Sequence, residues 1–255
     1  MAKVFLTAGH GGSDPGACAY GMKEKDINLN ILLACKGELE RHGVEVICSR
    51  TKDENDPVQD ETKEANASKA DIAVSFHTNA GGGDGSETYY YGSSNEGKRL
   101  AELCEKYTKG IGQNSRGIKS GNKLMFIRRT NMPAVLCECA FIDNDNDNNI
   151  IDNPDKQRAF GIAYAKAILE YFGIAYLSTN KVETKVEDGL FKVKVEISTL
   201  NIRRGPGTNY EAIGTFTGRG VFSITEVREG MGSNSGWGRL KSGAGWISLD
   251  FAKRI

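Results

Sequence analysis

"VFLTAGHGGSDPGA", residues 4–17, passes from an apolar, strand-like run straight into a histidine set among glycines. β-branched and aromatic residues favour a pleated strand, and glycine lets backbone turn sharply or approach another group closely. "VFLT" is the first of five strand-like runs, followed by "VEVICS" (44–49), "DIAVSF" (71–76), "ETYYY" (87–91) and "PAVLCE" (133–138). Helix-like stretches alternate with them. "DINLNILLACKGELERHG" (26–43) sets Ile27, Ile31, Ala34, Cys35 and Leu39 on one stripe and stops at Gly43. "GKRLAELCEKYTKGIG" (97–112) and "DKQRAFGIAYAKAILEYFG" (155–173) repeat the pattern. Strands alternating with amphipathic helices predict an α/β domain over residues 1–175, a sheet with helices packed on its faces.

The character of the chain then changes. Residues 176–190 are polar and charged with no apolar face, and read as a linker. Residues 191–255 hold 11 glycines and both tryptophans, with short strand-like runs broken by turn signals, which predicts a small all-β barrel or sandwich. Formal charge sums to zero over 255 residues, yet residues 191–255 carry ten Lys/Arg against five Asp/Glu. That excess is too small for a nucleic-acid binder but favours an anionic polymer surface. No apolar run is long enough to insert into a membrane, and the N-terminal run is too short for a signal peptide, so synthesis and storage in the cytoplasm are expected. Six cysteines fall before residue 140 without a CxxC pair, and read as reduced core thiols.

Three histidines are present. His42, near a helix C-terminus, suits the helix dipole. His10 and His77 instead trail apolar strands, as does Glu138 at the end of "PAVLCE". In a largely parallel sheet these positions meet at the carboxyl edge, where ligands collect. Cys137 and Cys139 flank Glu138 and must face the opposite way. Two imidazoles at one edge suggest a divalent cation, most often zinc, with a third protein ligand and an open position. Glu24, just before the first long helix, is placed to be that ligand, and Glu61, Glu64 and Glu87 compete for the role. Glu138 would then act as base on an attacking water. Strand-end histidines also occur as satisfied structural residues, and spacing does not decide between the two readings.

Four blocks, "AGHGGSDPGA", "GMKEKDINL", "ANASKADIAVSFHTNA" and "RGIKSGNKLMFIRRTNMPAVLCECAFIDNDND", together resemble zinc-dependent N-acetylmuramoyl-L-alanine amidases of bacterial autolysins and phage endolysins. The resemblance implies a mixed sheet flanked by helices, zinc held by His10, Glu24 and His77, and Glu138 as the catalytic carboxylate. It implies hydrolysis of the amide joining N-acetylmuramic acid to L-alanine in peptidoglycan. Asn79 and Arg128 or Arg129, just before the Glu138 strand, are candidate substrate contacts, with solvated loop arginines as the alternative for the last two. Where the family often reads "VEVGF", this chain reads "CECAF", a change of small residues for small ones. The tail, through "LNIRRGPG", "GWGRL" and "GWISLDF", is similar to bacterial SH3 domains, which implies wall binding with Tyr210, Trp237 and Trp246 as groove candidates; core aromatics are the alternative. The whole is expected to be an endolysin-type wall hydrolase. A zinc peptidase acting within the stem peptide, a host autolysin or sporulation amidase, and a non-catalytic wall binder are the rivals.

Overall fold

The computed structural model describes residues 1–177, 191–208, 210–230, 232–233 and 235–255, which form two compact units, Met1–Leu177 and Ser178–Ile255. The first unit contains strands β1 (Lys3–Ala8), β2 (Cys18–Ala19), β3 (Met22–Lys23), β4 (Glu45–Cys48), β5 (Ile72–Asn79), β6 (Ser86–Tyr90), β7 (Ser115–Ser120) and β8 (Ala134–Phe141). Its helices are α1 (Glu24–Arg41), α2 (Val58–Ser68), α3 (Asn95–Lys109), α4 (Met125–Arg129), α5 (Asp145–Ile151) and α6 (Pro154–Phe172). Six strands make one mixed sheet in the order β4-β1-β5-β8-β6-β7, in which only the β6–β8 pairing is antiparallel. β2 and β3 form a small hairpin of their own.

Alternation along the strands builds a core on each face. Val4, Leu6, Val74, Phe76, Val135 and Cys137 point to one side, against α1, α3 and α6. Phe5, Ala73, Ala134 and Leu136 point to the other, against Ala65 of α2 and Phe126 and Ile127 of α4. The stripe Ile27, Ile31, Ala34, Cys35 and Leu39 is buried as its spacing predicts. α6 crosses α1 so closely at Gly161 that a Cβ there would lie 2.5 Å from the Ile31 carbonyl oxygen, so any larger residue forces the helices apart. Asn153 caps α6 by accepting from the Asp155 and Lys156 amides, and Gly173 ends it in the left-handed conformation at φ 70°.

The short hairpin β2–β3 and the elements α2, α4, α5 and β7 carry no clear signal in the sequence. α2 buries only Glu61, Thr62 and Ala65, too little apolar surface for a helical stripe. α4 is a single turn. β7 is an edge strand with no fully buried residue, so it shows no inside–outside alternation. At the other end the first unit runs further than residue 175: Tyr176 stacks on His42 with ring centroids 5.0 Å apart. The remainder of the expected linker, residues 178–190, lies outside the described residues.

The second unit is all-β: β9 (Phe191–Val195), β10 (Asn201–Arg203), β11 (Ala212–Phe216), β12 (Gly220–Arg228), β13 (Trp237–Leu240), β14 (Trp246–Ser248) and β15 (Ala252–Arg254). They pair antiparallel in the order β11-β10-β14-β13-β12-β9-β15 over a core of Val193, Val195, Leu200, Ile202, Ile224, Leu240 and Ile247. In β9 the valines turn inward and Lys192 and Lys194 outward, the period-two pattern of a half-exposed strand.

Candidate active site

β1 delivers the chain to Gly9, where the reason for the glycines becomes concrete. A Cβ on Gly9 would lie 2.0 Å from Cε1 of His77, and one on Gly16 would lie 2.6 Å from Glu24 Oε2. Both positions must be bare for the two side chains to reach the centre. His10 itself adopts φ 67°, a conformation that costs a non-glycine residue energy and persists only where the surroundings impose it. They do so through a bridge between Gly11 and Asp14, with both amide–carbonyl bonds at 3.0 Å, and through Asp14 Oδ2 at 2.8 Å from His10 Nδ1. Arg50, 2% exposed, fixes the end of β1 from behind: its Nε donates to the Ala8 carbonyl and its Nη2 to the Lys25 carbonyl, each at 2.8 Å.

Glu24 is the first residue of α1, where the helix dipole favours an anion. Its Oε2 accepts from the Ala17 amide at 2.9 Å, and its Oε1 from the Thr78 amide at 3.1 Å and Asn28 Nδ2 at 3.3 Å. The same Oε1 stands 3.2 Å from His10 Nε2 and 3.0 Å from His77 Nδ1. Burial alone would raise the Glu24 carboxyl, but hydrogen bonds from the two imidazoles outweigh it and hold the group well below the usual carboxylate range. Glu24 in turn raises His10 to about 9, against the effect of burial. Burial pulls His77 down, but the hydrogen bond to Glu24 together with the negative charges of Glu138, Glu24 and Glu61 more than reverses it, so His77 is raised as well.

One donor atom from each of His10, Glu24 and His77 lies within 4.8 Å of the others. Two ring nitrogens and one carboxylate oxygen form the donor set of a catalytic divalent-cation site. Asp14 on the far nitrogen of His10 supplies the outer carboxylate that orients a ligating imidazole and leaves Nε2 aimed at the centre. The residues therefore fit a cation.

Glu138 completes the site from β8. It is paired in register with His77 across the parallel β5–β8 ladder and with Glu87 across the antiparallel β6–β8 ladder. Cys137 and Cys139, 0% and 1% exposed, turn into the opposite core as expected. Glu138 Oε2 is buried with no hydrogen-bond partner, and burial raises the carboxyl to about 7. An orphaned buried oxygen is costly, and this one belongs to a carboxyl that pairs in register with His77 and feels the charges of His77, Glu24 and His10.

The structure corrects one detail of placement. His77 and Glu138 stand within their strands, which run on to Asn79 and Phe141 because Thr78, Cys139 and Ala140 remain buried and paired. Among the competing carboxylates, Glu64 is exposed on α2, Glu61 is buried beside Thr7, and Glu87 pairs with Arg116 and Lys119. Asn79 folds its Oδ1 back onto the Ala80 amide at 2.8 Å. Arg128 and Arg129 are exposed at the end of α4 with no ion pair among the described residues. In the second unit Tyr210 is half-buried, with its ring against Gly205. Trp237 and Trp246 are only 2% and 7% exposed, which puts both indoles in the core alternative rather than in an open groove. Asp14, Asn28 and Arg50 are absent from the sequence reading; the i+4 spacings His10–Asp14 and Glu24–Asn28 are the signals that point to the first two.

Fold and site together define a class: a mixed α/β sheet that brings three donors able to hold a cation next to a buried carboxylate, an arrangement suited to hydrolysis. Within that class, residues 4–170 match the N-acetylmuramoyl-L-alanine amidase family, and the chain belongs to it. The family is generally zinc-dependent. The chain is 34% identical over 204 residues to the sporulation-specific N-acetylmuramoyl-L-alanine amidase of Bacillus subtilis, covering 78% of this chain and 79% of that protein. It is 38% identical over 204 residues to the endolysin of Bacillus phage SPP1, covering 75% of each chain. Among solved structures, the catalytic domain of the N-acetylmuramoyl-L-alanine amidase CwlV from Bacillus (Paenibacillus) polymyxa var. colistinus superposes with TM-score 0.64 at 32% identity, covering 69% of this chain and all of that one. That share corresponds to a unit the size of Met1–Leu177, whereas the 78% match is too long to fit inside it and reaches past residue 177.

Proposed function

We propose that this chain is a zinc-dependent peptidoglycan hydrolase that cleaves the amide between the lactyl group of N-acetylmuramic acid and L-alanine. The observation that carries the reading is the convergence of His10 Nε2, Glu24 Oε1 and His77 Nδ1 beside the unpartnered Glu138 Oε2, in a chain of this family. Zinc held by the three donors would polarise the amide carbonyl and make water acidic enough to attack near neutral pH. Glu138 takes the proton from that water and passes it to the departing amine of L-alanine. A carboxyl raised to about 7 is matched to both halves of that transfer. Asp14 and the Ala17 and Thr78 amides keep His10 and Glu24 in place while the substrate binds.

The second unit serves as an SH3-type wall-targeting domain, a role supported by its "LNIRRGPG" and "GWISLDF" blocks and its excess of basic residues. Joining it to the catalytic unit raises the local concentration of enzyme at the wall. Its partners are peptidoglycan and associated wall polymers. All six cysteines are free thiols and four are buried, which suits an endolysin that folds and waits in a reducing cytoplasm before reaching the wall. Mass spectrometry of peptides released from purified wall tests the activity. Stem peptides with a free L-alanine amino terminus are expected; peptides cut within the stem would overturn the assignment in favour of a peptidase.

A further inference from the structure

Beside Glu138, on the flank of the sheet away from the cation donors, lies a charged cluster that the reaction as described does not use. Glu87 is directly opposite Glu138 in the β6–β8 ladder, and residues so paired hold their Cβ atoms about 5 Å apart on one face. Glu87 is 3% exposed and accepts from Tyr89 Oη at 2.7 Å, from Lys119 Nζ at 2.6 Å and from Arg116 Nε. Burial would raise its carboxyl, yet these three donors hold it below its ordinary value. Two cations on one anion leave the cluster with a net positive charge.

Arg116 is bound only through Nε; among the described residues no acceptor meets its Nη1 or Nη2. Its guanidinium carbon lies 5.2 Å over the ring of Phe141, the last residue of β8, and its side chain is 42% exposed. The fork is thus clamped on one edge by Glu87, backed on one face by an aromatic ring, and open on the edge that presents two parallel N–H groups. That is the geometry in which arginine takes a carboxylate in bidentate fashion. If Arg116 served Glu87 alone, the second cation, Lys119, would be superfluous.

We infer that Arg116, held by Glu87 and backed by Lys119, forms a carboxylate-binding subsite that takes a carboxylate of the stem peptide just beyond the scissile amide. The inference rests on the amidase reading above. Arg116 stands on β7, two strand spacings or roughly 10 Å from β8, but its side chain reaches back across β6 to Glu87 and over Phe141 of β8, which brings its open edge within reach of the residue following L-alanine. The glycan side of the substrate, with its hydroxyl and acetamide groups, offers no such anion near the bond. The peptide contact expected at Arg128 or Arg129 is thereby assigned to a different arginine, one that the fold orients.

The test uses zinc-loaded, full-length protein and two soluble muropeptides that differ only in whether the residue after L-alanine bears a free carboxylate or its amide. Wild type is expected to favour the acid in kcat/KM by on the order of tenfold to a hundredfold, the range for a charge-assisted contact. Arg116→Gln is expected to bring that ratio close to one, and Arg116→Lys to leave it in between. A purely structural role would slow both substrates alike and leave the ratio untouched; that outcome, or a wild type without preference, overturns the subsite. Should Arg116→Gln fail to fold, Arg116→Lys keeps the charge and reads the same ratio. Product masses from the same digests report the bond cleaved, so failure of the amidase reading is seen separately.

Discussion

Glu24 and Glu138 belong to one site, are both largely withdrawn from water, and are driven in opposite directions by their surroundings. Glu24, at the head of α1, gathers two imidazoles, two backbone amides and an asparagine, and stays ionised far below the ordinary carboxylate range. Glu138, within β8, gathers nothing on Oε2, and burial lifts it to about 7. Burial is common to both; what separates them is the supply of donors. Two carboxylates with pKa values pushed apart divide the work of an acid–base hydrolase, one as a permanent anion and the other as a proton carrier. The flank of α1 is therefore built to hold charge, and the flank of β8 to exchange it.

Breaking the holding flank should have the largest effect. His77→Ala removes one of the three donor atoms, and is expected to lose bound zinc and wall lysis together, read by metal analysis and turbidity. Lysis at the wild-type rate would show that the donors do not form the centre. Asp14→Asn acts one step further out, on the orientation of His10. Removal of such an outer partner typically weakens metal binding about 10- to 100-fold, so a loss of that size is expected in competition with a chromophoric chelator.

The smallest effect is one of slope. In chelator-treated protein, the raised His10 contributes stability that is complete below its ordinary value of 6.5 and disappears as pH rises through about 9. A cation needs the same imidazole deprotonated, so stabilisation by zinc grows over that interval. Melting temperature against pH is expected to fall without zinc, and the increment from adding zinc to rise. An increment that shrinks with pH would mean zinc binds elsewhere.

The contrast between the flanks also explains what could be read in the sequence. His10, His77 and Glu138 were visible because each polar residue interrupts or follows an apolar strand, and strand ends converge in an α/β sheet. Glu24 was visible only as one of several carboxylates, since choosing it requires knowing that the loop after β1 returns to the sheet edge. Arg116 and Lys119 gave no signal: β7 is an edge strand without alternation, and their placement follows from its pairing with β6. α2 was hidden by its polar composition. The tryptophans of the second unit show the opposite limit. Residue type alone could not separate a binding face from a core, and the fold buries both rings.

The most direct test of this division of labour is Glu138→Gln, assayed for zinc content and for release of stem peptides from purified wall. The account predicts one zinc per chain, as in wild type, with turnover reduced by about 10²- to 10⁴-fold, the contribution of a positioned general base. Peptide release near the wild-type rate, or loss of the metal together with activity, would contradict it.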